Sequence, residues 1–152
     1  MIVRPANKAD IAPVQDLRSL LENERARQFT KDNRPFHEKD AWSQRVEPKD
    51  IRKEIFLVAE EDKKIIGFAR GSVAQRLGHS LSHLGCVDEL YVIEAARGKG
   101  VANKLLLRLQ DAFREKGCDH MTTFTDVENL KAQQFYEVCG MRKVTVEYWK
   151  AL

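Results

Sequence analysis

The stretch Asp88 to Lys116, DELYVIEAARGKGVANKLLLRLQDAFREK, decides the fold. Asp88 to Ile93 carries the β-branched and aromatic residues of a strand. A short turn follows at Glu94 to Arg97, and then Gly98-Lys99-Gly100-Val101-Ala102. From Val101 the apolar residues recur at Leu105, Leu109, Ala112 and Phe113, which predicts a helix of about four turns. A strand thus breaks into a glycine-bearing turn that opens directly into a helix. The first N–H groups of a helix have no intrahelical acceptor, and the macrodipole makes that end positive. Gly98 and Gly100 carry no Cβ, so a ligand can approach the backbone, and Arg97 and Lys99 add formal charge. The stretch is suited to a phosphate-rich anion.

Two nucleotide-binding patterns fail on the letters. A P-loop needs GxxxxGK followed by Ser or Thr, but Gly100 is followed by Val101. A dinucleotide fingerprint needs a third glycine where Asn103 stands. What fits is Arg-x-x-Gly-x-Ala, formed by Arg97, Gly100 and Ala102 after Leu90-Tyr91-Val92 and before an amphipathic helix. This resembles the coenzyme A pyrophosphate loop of the GNAT superfamily of N-acetyltransferases. A second signature lies downstream. Asn129-Leu130-Lys131-Ala132-Gln133-Gln134-Phe135-Tyr136, followed by Gly140-Met141, resembles the family's Asn-x-x-Ala-x-x-Phe/Leu-Tyr run, with Met141 in place of the usual Phe.

The 152 residues suffice for one domain with its own core, residues 1–152. Net charge is +3, and no basic run is long enough to argue for nucleic acid. No stretch approaches membrane-spanning length, and the N-terminus lacks a signal-peptide core. Cys86, Cys118 and Cys139 are widely spaced and odd in number, which suits a reducing compartment rather than a disulfide framework. A cytoplasmic single domain is expected.

Taken in order, Met1 to Pro5 reads as a first strand. Asp10 can cap a helix with Ile11, Val14, Leu17, Leu20 and Leu21 on one face, running toward Arg27. Gln28 to Pro48 is polar and irregular but holds Phe29, Phe36, His37 and Trp42, so a functional loop is expected, then a short helix at Pro48 to Ile55. Phe56 to Ala59 and Ile65 to Val73 are strands joined by a polar turn at Glu61 to Lys64. Gln75 to His83 is a loop, and Leu84 to Ile93 the central strand. Gly117 stops the long helix. His120 to Thr125 is a strand, Asn129 to Cys139 a helix with Leu130, Phe135 and Val138 inward, and Met141 to Trp149 a closing strand. The fold class is α/β (α+β), a mixed and mostly antiparallel sheet flanked by helices, in the order β-α(-α)-β-β-β-α-β-α-β. This agrees with the family over nearly the whole length. Members commonly finish with two strands, and only twelve residues follow Gly140. A neighbouring chain completing the sheet, as a homodimer, is one expectation.

The resemblance implies transfer of an acetyl group from acetyl-CoA directly to an amine, with no metal. Backbone N–H groups of Gly98, Lys99, Gly100, Val101, Ala102 and Asn103, with Arg97, would hold the pyrophosphate. The pantetheine arm would lie beside Leu90, Tyr91 and Val92, one of whose N–H groups would meet the oxyanion, and Asn129 would contact the same arm. Tyr136 would stand near the coenzyme sulfur as general acid. The amine must also lose a proton. Family members acting on polyamines and aminoglycosides often carry an acid four positions before the valine matching Val92. That favours Asp88, with Glu89 in reserve, since successive strand side chains face opposite ways unless a bulge intervenes. A carboxylate there could instead serve a structural ion pair. These acids point to a small cationic amine or polyamine as acceptor. An acyl-CoA-binding sensor without turnover, or an enzyme acting on a protein- or RNA-linked amine, are the alternatives. His79 and His83 have metal-like spacing but no third ligand nearby, and His37 could touch substrate. Substrate choice would fall to the Gln28 to Pro48 and Gln75 to His83 segments.

Overall fold

The protein is described by a computed structural model covering residues 1–29, 54–75, 83–144 and 146. The expected loops between Gln28 and Pro48 and between Gln75 and His83, with His37 and His79, fall almost wholly outside these residues. So do most of the Pro48 to Ile55 helix and the end of the Met141 to Trp149 strand. The elements are β1 (Ile2–Pro5), α1 (Ile11–Phe29), β2 (Ile55–Glu61), β3 (Lys64–Gln75), β4 (His83–Val92), α2 (Val101–Glu115), β5 (His120–Thr123) and α3 (Leu130–Val138). The five strands form one sheet in sequence order. The pairings from β1 to β4 are antiparallel, and β5 runs parallel to β4, the connection being made through α2.

Both faces of the sheet are covered, which is why β2 reads as a continuous apolar run rather than an alternation. Its Leu57 and Ala59 lie in the core beneath α2, with Val101, Leu105, Leu106, Leu109 and Phe113. Its Phe56 and Val58 lie in the core beneath α1, with Val14, Leu17, Phe68 and Tyr91. The predicted helical spacing in α2 is realised, and Leu106 joins it. Close approach of α2 depends on glycines in the sheet. A Cβ at Gly67 would meet Leu105, and one at Gly85 would lie 2.5 Å from the Phe113 ring. The Phe113 ring fills the space that Gly85 leaves.

Several local expectations change. Ile55 begins β2 rather than ending a helix. The helical N-cap is Asn7, not Asp10: the Asn7 side chain accepts from Ala9 N–H, and Asp10 reciprocates by accepting from Asn7 N–H. Asp10 is instead the buried partner of Arg4. On α1, Leu20 is exposed while Arg18 is buried among Val14 and Leu17. On α3, Phe135 packs inward with Tyr136 and Cys139, whereas Leu130 and Val138 are exposed. Met141 to Val144 form no strand. Among the described residues, no helix is long and apolar enough to cross a membrane.

Candidate active site

Strand β4 organises the site. It pairs with β3 along its whole length, but with β5 only from Leu84 to Val87. Beyond Val87 the two parallel strands separate, and Asp88 to Val92 lack a partner on that side among the described residues. Ile93 N–H donates to Ile66 O on β3. Alternation then turns the N–H groups of Tyr91 and Glu89 toward β3, and those of Leu90 and Val92 toward the open side. Of the expected Leu90-Tyr91-Val92 run, two residues therefore offer unpaired donors.

A bulge sits where the strands part. Arg70 pairs with Glu89 and Gly71 with Val87, so Asp88 is the extra residue. The bulge resets the alternation: Val87 and Val92, five positions apart, share the α2 face, while Tyr91 lies on the α1 face. The two candidate acids consequently differ in setting. Asp88 is half-buried at the bulge. Glu89 is only 5% exposed. Its Oε1 accepts from Arg18 Nε at 2.9 Å, and its Oε2 lies 3.0 Å from Arg70 Nε without a well-aligned hydrogen bond. Arg70 also pairs with Glu54 at 3.1 Å. Glu89 is thus a buried charge matched by guanidiniums from α1 and β3.

At its far end β4 leads into a single 3-10 turn, Glu94–Ala96, and then the glycine turn. Gly98 and Gly100 have φ of 75° and 76°, the left-handed region where other residues are strained. Gly100 is the N-cap of α2 and offers no side chain, and the first turn of the helix holds no acid. Lys104 N–H donates to Gly100 O, which starts the helical ladder. Among the described residues, no acceptor is seen for the N–H groups of Gly98 to Asn103. A Cβ on either glycine would meet nothing within 4 Å. Open space, aligned donors and an uncompensated positive helix end coincide here, a setting that fits a pyrophosphate. Arg97 is differently engaged: its Nε donates to Val92 O at 2.9 Å, and its Nη2 donates to both carboxylate oxygens of Glu24.

The opposite lip is α3. Asn129 caps it, accepting from Ala132 N–H at 3.1 Å. Tyr136 is half-buried, its ring edge-on to Phe135 at 5.2 Å between centroids. Burial pushes its phenol above the ordinary value, opposed by the Thr123 hydroxyl and the charge of Arg25. Thr123 itself donates to Val87 O at 3.2 Å, at the point where β4 and β5 separate. Cys139 donates to Asn103 Oδ1 at 3.6 Å, joining the end of α3 to the first turn of α2.

Asp88, Glu89 and the Leu90 and Val92 donors lie on β4 beyond its pairing with β5, and β4 leads into the glycine turn. Tyr136 lies on α3, whose end meets the first turn of α2 through Cys139 and Asn103. Sequence reasoning missed the contribution of α1. Arg25 lies within electrostatic reach of Glu89, Tyr136 and Asp126, and burial lowers its pKa from the ordinary arginine value against those charges. One signal was available, since Val14, Arg18, Leu21 and Arg25 continue a single helical stripe. Among the described residues, no three His, Cys, Asp or Glu side chains converge as a metal site.

Comparison with known proteins agrees with this geometry. Residues 17–141 match the acetyltransferase (GNAT) family. The uncharacterized N-acetyltransferase YhfO of Bacillus subtilis is 30% identical over 96 residues, 60% of each chain. The aminoglycoside N(6')-acetyltransferase type 1 of Serratia marcescens is 29% identical over 77 residues, 49% of this chain and 53% of that one. The match therefore spans only about half to three-fifths of these relatives. The fold superposes on the aminoglycoside N-acetyltransferase AAC(6')-Iy in complex with CoA with a TM-score of 0.70 at 22% identity, covering 99% of this chain and 100% of that one. With the split strand, the glycine turn before α2 and the family match over most of its length, the chain belongs to the GNAT family of acetyltransferases.

Proposed function

We propose that the protein is an acetyl-CoA-dependent N-acetyltransferase acting on a small primary amine. The observation that carries this reading is the end of β4–β5 pairing at Val87, which leaves backbone donors at Leu90 and Val92 on the strand that runs into the donor-rich start of α2. The N–H groups of Gly98 to Asn103 would hold the pyrophosphate, with Asn129 and the open edge of β4 along the pantetheine arm. Acetyl-CoA supplies the activated acetyl group as a thioester. Asp88 accepts the proton of the amine, directly or through water, while Arg18 and Arg70 hold Glu89 beside it. The Leu90 and Val92 N–H groups meet negative charge on the acyl oxygen. The Tyr136 hydroxyl gives its proton to the departing thiolate. A phenol carries that proton at neutral pH.

Asp88, half-buried at the bulge of β4, supports a cationic amine or polyamine. A relative that is by name an aminoglycoside acetyltransferase supports the same class. Three free thiols are in keeping with a reducing cytoplasm. The reading extends to a homodimer. β5 is one of the two edge strands among the described residues, and Phe124, Val127, Leu130 and Val138, which follow it in the chain, are exposed. A single-chain mass by light scattering would remove that part. The test of the activity is thiol release from acetyl-CoA with polyamines, aminoglycosides and a peptide amine. The wild type should turn over a cationic small amine, and Tyr136→Phe should lower kcat about 100-fold. No release with any amine would favour a coenzyme-binding sensor, and release with the peptide alone would move the substrate class.

A further inference from the structure

Arg97 opens the glycine-turn motif, yet its guanidinium is committed elsewhere. Its Nε donates to Val92 O at the end of β4 at 2.9 Å. Its Nη2 donates to Glu24 Oε1 at 2.9 Å and Oε2 at 2.8 Å. The guanidinium carbon lies 5.5 Å from the centre of the Tyr91 ring, and the Tyr91 hydroxyl donates to Glu24 Oε1 at 2.7 Å. Tyr91 is 5% exposed and packed against Phe68, so this platform is rigid. Three elements meet at one cation: the last turns of α1 through Glu24, the end of β4 through Val92, and the turn before α2. Two glycines follow within three residues. Gly98 and Gly100 are left-handed, with open space around both.

We propose that Glu24 and Arg97, seated on Tyr91, form a brace that fixes the entrance of the glycine turn. In this role Arg97 serves coenzyme binding by positioning backbone donors and does not contact phosphate. The inference rests on the reading of that turn as the pyrophosphate site. It makes Glu24, which lies far from any motif in the sequence, a positioning residue for the coenzyme, and it links the wall formed by α1 to the loop that binds it.

The two possible roles of Arg97 predict opposite signs. If Glu24 merely holds back a phosphate ligand, Glu24→Gln frees Arg97 and coenzyme A binds more tightly. If Glu24 is half of a brace, Glu24→Gln loosens the turn, and the Kd for coenzyme A, read by calorimetry, rises about five- to tenfold. Arg97→Gln should then cost about the same, and the double variant no more than either single one. Tyr91→Phe, which removes one hydroxyl, should shift the Kd in the same direction by less. In turnover, Glu24→Gln should raise the KM for acetyl-CoA and leave kcat and the KM of the amine unchanged. Tighter or unchanged coenzyme binding in Glu24→Gln, or additive losses in the double variant, overturns the brace. A wild type that binds no coenzyme A overturns the site itself, which is a different result.

Discussion

Three donors converge on Asp10: Arg4 Nη1 at 2.7 Å, Arg4 Nη2 at 2.9 Å and the Asn7 N–H at 2.8 Å. The hydrogen bonds from Arg4 hold this carboxyl below its ordinary range, burial works against them, and the Asn7 N–H adds to them. A carboxylate whose folded pKa is depressed contributes stability above the unfolded value of about 3.9, and loses it as pH falls through the folded value. Asp10→Asn should therefore cost about 2 kcal/mol at neutral pH. The difference from wild type should shrink below about pH 4, where the unfolded carboxyl is protonated. Urea titrations at neutral and acid pH check both points, and a pH-independent difference would mean that shape rather than charge matters at this site. Glu89 is the contrasting case. It looks like Asp88's equal in the sequence, but its neighbours 71 positions upstream and across β3 make it part of a buried charge network. No local pattern announces such a pairing.

Among the elements, α2 was the most legible. Val101, Leu105, Leu109 and Phe113 recur every four residues, and Gly117 ends the helix with a φ of 78°. What the letters did not show is why the helix sits where it does. Gly71 and Gly85 are placed beneath Phe113, and a Cβ at either would come within 2.6 Å of its ring. Gly85→Ala should therefore destabilise by about 1–3 kcal/mol through overpacking. Phe113→Leu should cost less in the Gly85→Ala background than in wild type, as a double-mutant cycle in urea would show. Purely additive costs would mean that the ring and the glycine are not in steric conflict. Helix α3 was legible for its signature but not for its facing. Apolar content pointed Leu130, Phe135 and Val138 inward; of these Phe135 packs on the core, with Tyr136 and Cys139, while Leu130 and Val138 are exposed. Nine residues whose apolar positions are not gathered on one face leave the choice of face to tertiary packing.

For the molecule as a whole, the strand order and the βαβ passage through α2 followed from the order of strand-like and helix-like segments. The separation of β4 from β5 did not, because a bulge at Asp88 and a pairing only four residues long are properties of two strands together. The glycine turn was readable because its chemistry is local: glycines, a helix start and no acid in the first turn. The surroundings of Glu89 and Tyr136 were not, because Arg18 and Arg25 reach them from α1, far away in the sequence. The proposed coenzyme site depends on the open space over Gly98 and Gly100, and a thermal shift with coenzyme A, ATP and NAD on wild type and Gly100→Glu tests it most directly. A side chain at Gly100 would project where nothing now lies within 4 Å, and a carboxylate would oppose an anion at a positive helix end. At a hundredfold excess over Kd, coenzyme A should raise the wild-type Tm by about 5–10 °C, ATP and NAD should do less, and the variant should lose the effect. No rise in wild type, or an equal rise in Gly100→Glu, would contradict the assignment of this turn as the coenzyme site.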